Sequence, residues 1–293
     1  MTSLENGATG LGGWLGRVKR HVGELRLPWI PVVILSTLLI CAIFAPLISP
    51  HDPTRLNLLN SRMAPGEVGG HLLGTDVLGR DILSRLIYGA RTALLISVVA
   101  LGTGAFVGTV LGLIAGYVGG IIEALIMRAT DAALGFPTIL LAMILVTVLG
   151  AGMENIILAV ALTVWANFVR MIRGEVLGIK ELDYVIMARI AGDSPLVIIR
   201  RHIFPNVINT LMVVSSLLVG QVILLEAALS FLGLGLAPGA PAWGIMVAEG
   251  RVVILDLWWL SLFPGLAITV VVLAFNFFGD WLRDTLDPKL RRV

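Results

Sequence analysis

Long apolar runs separated by short polar segments dominate this sequence. The first run, residues 29–48, has 20 residues and no charged side chain, which is long enough to cross a bilayer as an α-helix. With 57% hydrophobic and 14% charged residues and a mean hydropathy of +0.96, the chain is too apolar for a soluble protein. Lipid leaves backbone polar groups without water, so each run must satisfy them internally. The sequence therefore predicts an all-α integral membrane protein.

We predict six transmembrane helices, at residues 29–48, 92–118, 132–149, 156–171, 207–229 and 257–278. An even number of crossings places both termini on one side of the membrane. If that side is the cytoplasm, 15 of the 21 lysines and arginines lie inside, as the positive-inside rule requires. Residues 1–28 are then a cytoplasmic tail, either an interfacial amphipathic helix or a disordered basic leader, and residues 283–293 are a second tail.

Residues 49–91 form a polar segment that this orientation places outside the membrane. Its GTDVLGRD run, residues 74–81, has two carboxylates but no histidine pair nearby and no lysine. A capped turn with ion pairs is therefore favoured over a metal or phosphate site, and we predict no metal ligands in the chain. Asp81 and Arg85, which alternate with apolar residues, indicate a surface helix that leads into the second span.

The second predicted span carries a glycine at every fourth position, namely Gly104, Gly108, Gly112 and Gly116, with Gly120 continuing the register. This spacing removes side chains from one helix face and lets a neighbouring helix approach closely. We therefore predict a packing role for these glycines rather than ligand binding. At the start of the third span, Arg128 and Asp131 lie one turn apart, and they can pair with each other or with the segment around Gly192.

Polar residues interrupt the fifth predicted span at three positions, Asn209, Gln221 and Glu226. Polar groups within a span usually face a bundle interior or a wet cavity, so these residues are candidates for a translocation path. For Glu226, a cap or an ion pair at the outer interface is an equally good interpretation. The Gly- and Pro-rich residues 231–251 are predicted as a packed external or re-entrant segment, and Trp258 and Trp259 as an interfacial belt.

Residues 173–205, between the fourth and fifth spans, are too polar to lie in lipid. Residues 181–191 can form three helical turns with one apolar stripe, made of Leu182, Ile186 and Ile190. Gly192 fits the left-handed position that ends many helices, and Ser194 with a following proline can start a second helix, residues 195–203. Pro205 is predicted to stop that helix. A rigid helix pair of this kind suits docking against another protein.

The spacing in this segment resembles the EAA-x3-G-x9-I-x-L-P loop of permease subunits of bacterial ABC importers. Ala188, Gly192 and Pro205 keep the identity of that pattern, whereas Ile186 replaces its glutamate. Three further stretches, residues 72–95, 226–251 and 278–291, resemble a narrower family, the second permease subunit of dipeptide, oligopeptide and nickel importers. The resemblance covers nearly the whole chain after about residue 72.

This resemblance implies a type I importer permease with a core at residues 92–282 that includes the coupling loop, residues 173–205. The implied partners are a homologous second permease, two cytoplasmic ATPase subunits that use ATP, and an external binding protein that delivers the substrate. Ala188 is expected to allow close approach to the ATPase and Gly192 to form the break between the helices. The candidate ATPase-coupling residues are Asp183, Ala188, Arg189, Gly192, Arg200 and Pro205, and of these Asp183, Arg189 and Arg200 are expected to make polar contacts with the ATPase.

Several kinds of chemistry are missing from the sequence. None of the three lysines follows a glycine, so the chain lacks a P-loop and is expected to bind no cofactor itself. HExxH and GxSxG motifs are also missing, which speaks against an intramembrane enzyme, and the distribution of basic residues speaks against nucleic-acid binding.

A self-contained secondary transporter of small solutes is the alternative function. Such a protein would need ionisable residues within its spans and usually has repeated halves. The sequence favours a permease of the bacterial cytoplasmic membrane, with di- or oligopeptides as the expected substrate class and nickel complexes or other small solutes still open.

Overall fold

The structure, a computed structural model, describes residues 27–67 and 70–286, and the regular elements in these ranges are helices joined by turns and irregular chain. The helices are α1 (Trp29–Ile48), α2 (Ile82–Val118), α3 (Gly120–Gly135), α4 (Thr138–Leu149), α5 (Met153–Ile179), α6 (Asp183–Ile190), α7 (Pro195–Phe231), α8 (Trp243–Arg251) and α9 (Trp259–Leu286). The predicted interfacial helix before residue 27 and the tail after residue 286 lie outside the described residues.

Five of these helices, α1, α2, α5, α7 and α9, are long and apolar enough to cross a membrane. The third predicted span is not one continuous helix, because α3 and α4 bend by 94° relative to each other. Pro137 causes the break, since it has no N–H and forces the preceding Phe136 into an extended conformation (φ −91°, ψ 138°). The described chain thus has five spans, or six if the bent pair crosses as one.

The glycine face of α2 packs directly against α5. A Cβ atom added at Gly104 would lie 2.5 Å from Val164 Cγ2, and one added at Gly112 would lie 2.8 Å from Ile172 Cβ. Gly108 and Gly116 meet α5 in the same way, so the predicted packing role is confirmed. Gly120 does not continue the register, because α2 ends at Val118 and Gly120 begins α3 in open space.

We predict that Gly108→Ala destabilises the fold by roughly 1–3 kcal/mol, the usual cost of overpacking. The added methyl would lie 2.5 Å from Phe168 Cβ and closer still to the Trp165 carbonyl oxygen, and neither backbone can move aside without separating α2 from α5. The measurement is thermal unfolding in detergent. Gly102→Ala is the matched control, because its methyl meets no atom within 4 Å. Equal melting temperatures for the two variants would contradict the packing argument.

The segment between α7 and α9 packs onto the start of α2, as predicted for residues 231–251. Trp243 is buried, its Nε1 donates to the Leu86 carbonyl oxygen at 3.0 Å, and Gly89 leaves the room that its indole occupies. The prediction for Trp259 is wrong. Its ring is buried instead of lying at an interface, and its Nε1 donates to the Thr75 carbonyl oxygen at 3.2 Å.

A buried network of four charges ties the same end of α2 to α8. Asp76 Oδ2 accepts from Arg80 Nε at 2.5 Å and from Arg85 Nη1 at 2.8 Å. Glu249 on α8 accepts from the same two arginines, at 3.0 Å and 2.7 Å. The predicted capped turn with ion pairs is thus confirmed, since Asp81 also caps α2 by accepting from the Ser84 N–H.

The prediction of a surface helix around Arg85 is wrong, because that side chain is only 1% exposed. Its burial depends on Glu249, which lies 164 residues away along the chain. Two arginines and two carboxylates compensate one another, which is the condition under which charges tolerate burial.

We predict that Asp76→Asn costs about 3–5 kcal/mol of stability, because it leaves two buried arginines with one carboxylate between them. Denaturant titration of the protein in detergent measures the loss. The matched control is Asp131→Asn, which removes a 2.6 Å pair with Arg170 whose members are 57% and 53% exposed. That change is expected to cost at most about 1 kcal/mol. If Asp131→Asn lost as much stability as Asp76→Asn, burial of the ion pairs would not explain the cost.

Candidate functional site

The segment 173–205 is held by an apolar cluster between the end of α5 and the start of α7. The cluster consists of Ile172, Val176, Ile179, Val185, Ala188, Ile198, Ile203 and Val207. Ala188, predicted to approach a partner, is instead buried against its own chain. It shares the buried side of α6 with Val185, which belongs to the same cluster, whereas the apolar stripe of α6 is exposed.

The outward side of this segment carries large apolar side chains. The predicted stripe of Leu182, Ile186 and Ile190 exists, and it is exposed. Met187 and Leu196 extend the stripe, with exposed fractions of 63% for Met187 and 74% each for Ile190 and Leu196. We call these five residues the coupling surface. Large apolar side chains that no part of the described chain covers mark a surface that another molecule contacts.

The break between α6 and α7 has the geometry that the sequence predicts. Gly192 has φ +86°, its N–H donates to the Arg189 carbonyl oxygen at 3.2 Å, and the Asp193 N–H donates to the Ala188 carbonyl oxygen at 3.1 Å. These two bonds form a Schellman motif, which satisfies the last carbonyls of α6. Ser194 is extended and Pro195 is the first residue of α7, also as predicted, although the Ser194 side chain makes no capping hydrogen bond.

Pro205 does not stop the second helix, contrary to the prediction. The chain is helical from Pro195 to Phe231, and residues Ile199–Ile203 form a π-helical turn. The Phe204 N–H bonds to the Ile199 carbonyl oxygen, five residues back. A proline lacks the N–H that an α-helix requires, and a wider turn before it lets the helix continue. The second helix of this segment and the fifth predicted span are consequently one helix.

Polar side chains join α6 to α7 and leave charged groups at the surface. Asn206 Nδ2 donates to the Tyr184 hydroxyl at 3.2 Å, a link between the two helices that sequence reasoning missed. Asp183, Arg189 and Arg200, predicted to make polar contacts with a partner, are all exposed. The structure thus places three of the candidate coupling residues around the apolar coupling surface.

Basic side chains on the flank of this region join the end of α5 to α3 by ion pairs and to α2 by a hydrogen bond. Arg173 Nε donates to Glu123 Oε1 at 2.7 Å, and Lys180 Nζ donates to the Gly116 carbonyl oxygen at 3.0 Å, near the end of α2. Asp131 pairs with Arg170 on α5, so the prediction that it pairs with Arg128 or the Gly192 region is wrong. The sequence could not show which residues of α5 face α3.

The three candidate path residues on α7 lie in different environments. Asn209 and Gln221 are exposed on the surface of the chain, where a neighbouring subunit or lipid would contact them. Glu226 is buried and accepts a hydrogen bond from the Ser230 hydroxyl at 2.7 Å. Glu226 therefore neither lines an open path nor forms an ion pair at the interface, because it is buried and its partner is a neutral residue of the same helix. A path role for Asn209 and Gln221 stays a prediction.

Residues 108–292, well over half of the chain, match the family described as the binding-protein-dependent transport system inner membrane component. The chain belongs to this family. The permease is 37% identical to the dipeptide transport system permease protein of Bacillus subtilis (strain 168) over 274 residues, which cover 93% of this chain and 85% of that protein.

Two other relatives show a similar relationship. The permease is 40% identical to the di/tripeptide transport system permease protein of Pseudomonas aeruginosa (strain UCBPP-PA14) over 266 residues, 89% of this chain and 88% of that protein. It is 43% identical to the glutathione transport system permease protein of Pectobacterium atrosepticum over 230 residues, 78% of this chain and 76% of that protein.

These relationships confirm the main predictions from the sequence. The chain is a permease subunit of a binding-protein-dependent transporter and not an enzyme. It is a multi-pass protein of the bacterial inner membrane. A self-contained secondary transporter, the alternative function, finds no support, because members of this family work together with other subunits of a transport complex.

Proposed function

We propose that this permease is one of two homologous subunits that form the translocation path of an ATP-driven importer of di- or oligopeptides. An external binding protein delivers the peptide, and two cytoplasmic ATPase subunits drive transport. The names of the relatives, which specify dipeptides, di/tripeptides and glutathione, support a peptide substrate.

The observation that carries the coupling role is the exposed apolar face of α6 and the start of α7. In the proposed complex, one ATPase subunit covers this coupling surface with a cleft, and Asp183, Arg189 and Arg200 make polar contacts at its rim. Burying large apolar side chains supplies the affinity, and charges at the rim set the orientation. The side that carries the coupling surface is accordingly the cytoplasmic side.

The proposed mechanism uses α6 as a rigid lever. The Schellman motif at Gly192 and the apolar cluster attach α6 to the end of α5 and to α7, so a displacement of α6 moves both helices. When ATP brings the two ATPase subunits together, the coupling surface moves with them and the path between the two permeases opens outward. The free energy of coupling is the difference between the contacts made in the two states.

The direct test is to isolate the permease gently from membranes and identify the proteins that co-purify. A second permease and ATPase subunits, together with peptide-dependent ATP hydrolysis, are the expected result. A permease that purifies alone and takes up solute through an ion gradient would overturn the proposal.

We predict that the double variant Met187→Ser/Ile190→Ser loses at least tenfold of its affinity for the ATPase subunits. Full burial of one large apolar side chain contributes roughly 1.5–3 kcal/mol to the binding free energy. Serine at both positions removes most of this contribution twice, and each 1.4 kcal/mol corresponds to about a tenfold change in affinity. Co-purification at matched permease levels measures the loss. Leu255→Ser, at an apolar residue before α9 that is even more exposed, is the control. Wild-type recovery of ATPase subunits with the double variant would refute this docking site.

We predict that Gly192→Val uncouples ATP hydrolysis from peptide uptake while insertion into the membrane is unchanged. A β-branched residue at φ +86° is strained, although no neighbouring atom lies within 4 Å, so the substitution alters the angle between α6 and α7 without a clash. Uptake by proteoliposomes measures the effect, and a loss of tenfold or more is expected.

Gly178→Val is the matched control for this prediction. Gly178 is a helical residue of α5 that also has no atom within 4 Å of an added Cβ, but it has no positive φ. Transport by Gly192→Val at the rate of Gly178→Val would show that the angle at Gly192 does not matter.

A further inference from the structure

Three potential metal ligands converge at the end of α2 remote from the coupling surface. His51 and His71 belong to the segment between α1 and α2, and Asp81 caps the first turn of α2. The Nδ1 atoms of the two histidines lie 3.8 Å and 2.9 Å from the same carboxylate oxygen, Asp81 Oδ1. From the sequence we predict no histidine pair near the GTDVLGRD run, but the fold supplies one.

The spacing of the three atoms suits a tetrahedral metal ion. Metal–ligand bonds of about 2.0–2.1 Å in tetrahedral geometry place donor atoms about 3.3 Å apart. The two Nδ1–Oδ1 distances bracket that value, and the three residues offer ligand atoms that all lie within 4.8 Å of one another, so rotation of the imidazole rings can bring them to that spacing. Two imidazole nitrogens and one carboxylate oxygen are donors that Zn²⁺ and similar divalent transition metals favour.

Neighbouring groups orient these ligands. Asp81 Oδ2 accepts from the Ser84 N–H at 2.7 Å and from the Ser84 hydroxyl at 2.6 Å, which leaves Oδ1 directed at the histidines. The His51 backbone N–H donates to the Ser84 hydroxyl oxygen at 3.0 Å. The side-chain amide of Asn60 lies 3.4 Å from His71 Nε2, on the ring edge opposite Nδ1. Metal-binding histidines and carboxylates are usually held by outer partners of this kind.

A hydrogen bond between His71 and Asp81 accounts for only part of the cluster. His51 is 41% exposed, and its Nδ1 makes no hydrogen bond within the described residues, yet its ring lies 4.5 Å from that of His71 beside the same carboxylate. A metal ion would account for the position of both rings. A cavity of about 230 Å³ reaches the three ligands, and Asp52 and Arg55, of opposite charge, also line it. With neutral histidines, the net charge at the site is therefore that of Asp81.

We propose that His51, His71 and Asp81 form a binding site for a divalent transition metal ion of the zinc type. His51 Nδ1, His71 Nδ1 and Asp81 Oδ1 coordinate the ion, and the fourth position faces the cavity and takes water. The bound ion ties the segment that follows α1 to the first turn of α2, beside the buried network of Asp76 and Arg85. The site shares no residue with the coupling surface.

Zinc titration of the assembled transporter tests this site. The complex is purified through a tag without histidine, treated with chelator, and titrated with Zn²⁺ alone by calorimetry. We expect one zinc ion per permease, bound with micromolar affinity or tighter, in addition to any that partner subunits bind. His51→Ala and His71→Ala are each expected to weaken this event by at least tenfold, and His202→Ala, a histidine outside the cluster, to leave it unchanged.

His51→Ala is the decisive variant, because His51 is partly exposed and its loss leaves the His71–Asp81 hydrogen bond in place. Its melting temperature in chelator is expected to equal that of the wild type, whereas Zn²⁺ raises the melting temperature of the wild type more than that of the variant, since the ion binds the folded state. Identical zinc isotherms for the wild type and His51→Ala, or an equal zinc-induced rise in melting temperature, would overturn the proposal.

Discussion

Close contact between α2 and α5 is the interaction on which the rest of the structure depends. Between helices in lipid, the hydrophobic effect supplies little attraction, so association relies on the fit of one surface to another. The glycine face of α2 lets the backbone of α5 approach until side chains such as Val164 and Ile172 touch the α2 main chain. Because α5 leads directly into α6 and the end of α2 accepts a hydrogen bond from Lys180, this contact also sets the position of the coupling surface.

The two ends of this helix pair are built in opposite ways. At the start of α2, charges are buried and compensated by Glu249 on α8, and indole N–H groups of two tryptophans reach backbone carbonyls. Such an arrangement permits one geometry and resists displacement. At the other end, the ion pair of Asp131 and Arg170 is exposed and the apolar face of α6 is uncovered. A transporter subunit whose partner binds at one end needs an uncovered docking surface at that end. At the other end it needs a structure that does not move.

Features that depend on local sequence were predictable, and features that depend on distant partners were not. The bounds of α1, the glycine face, the Gly192 break and the start of a helix at Pro195 follow from patterns within a few residues. The burial of Arg85, the partner of Asp131 and the place of Glu226 depend on residues that only the fold brings close. The same limit applies to His51 and His71, which are 20 residues apart in the sequence and meet at Asp81 only when the segment before α2 folds back.

The failure of the prediction at Pro205 has a consequence for coupling. A helix that ended there would have left the coupling segment joined to the membrane by a flexible turn, and little of its displacement would have reached the span. Instead α7 is one helix of 37 residues, about 55 Å long at 1.5 Å per residue, from Pro195 beneath the coupling surface to Phe231 beside α8. The π-helical turn before Pro205 is the one place in α7 where the hydrogen-bond pattern is loosened. In the proposed mechanism, a displacement of α6 therefore reaches the far end of α7 through one continuous helix.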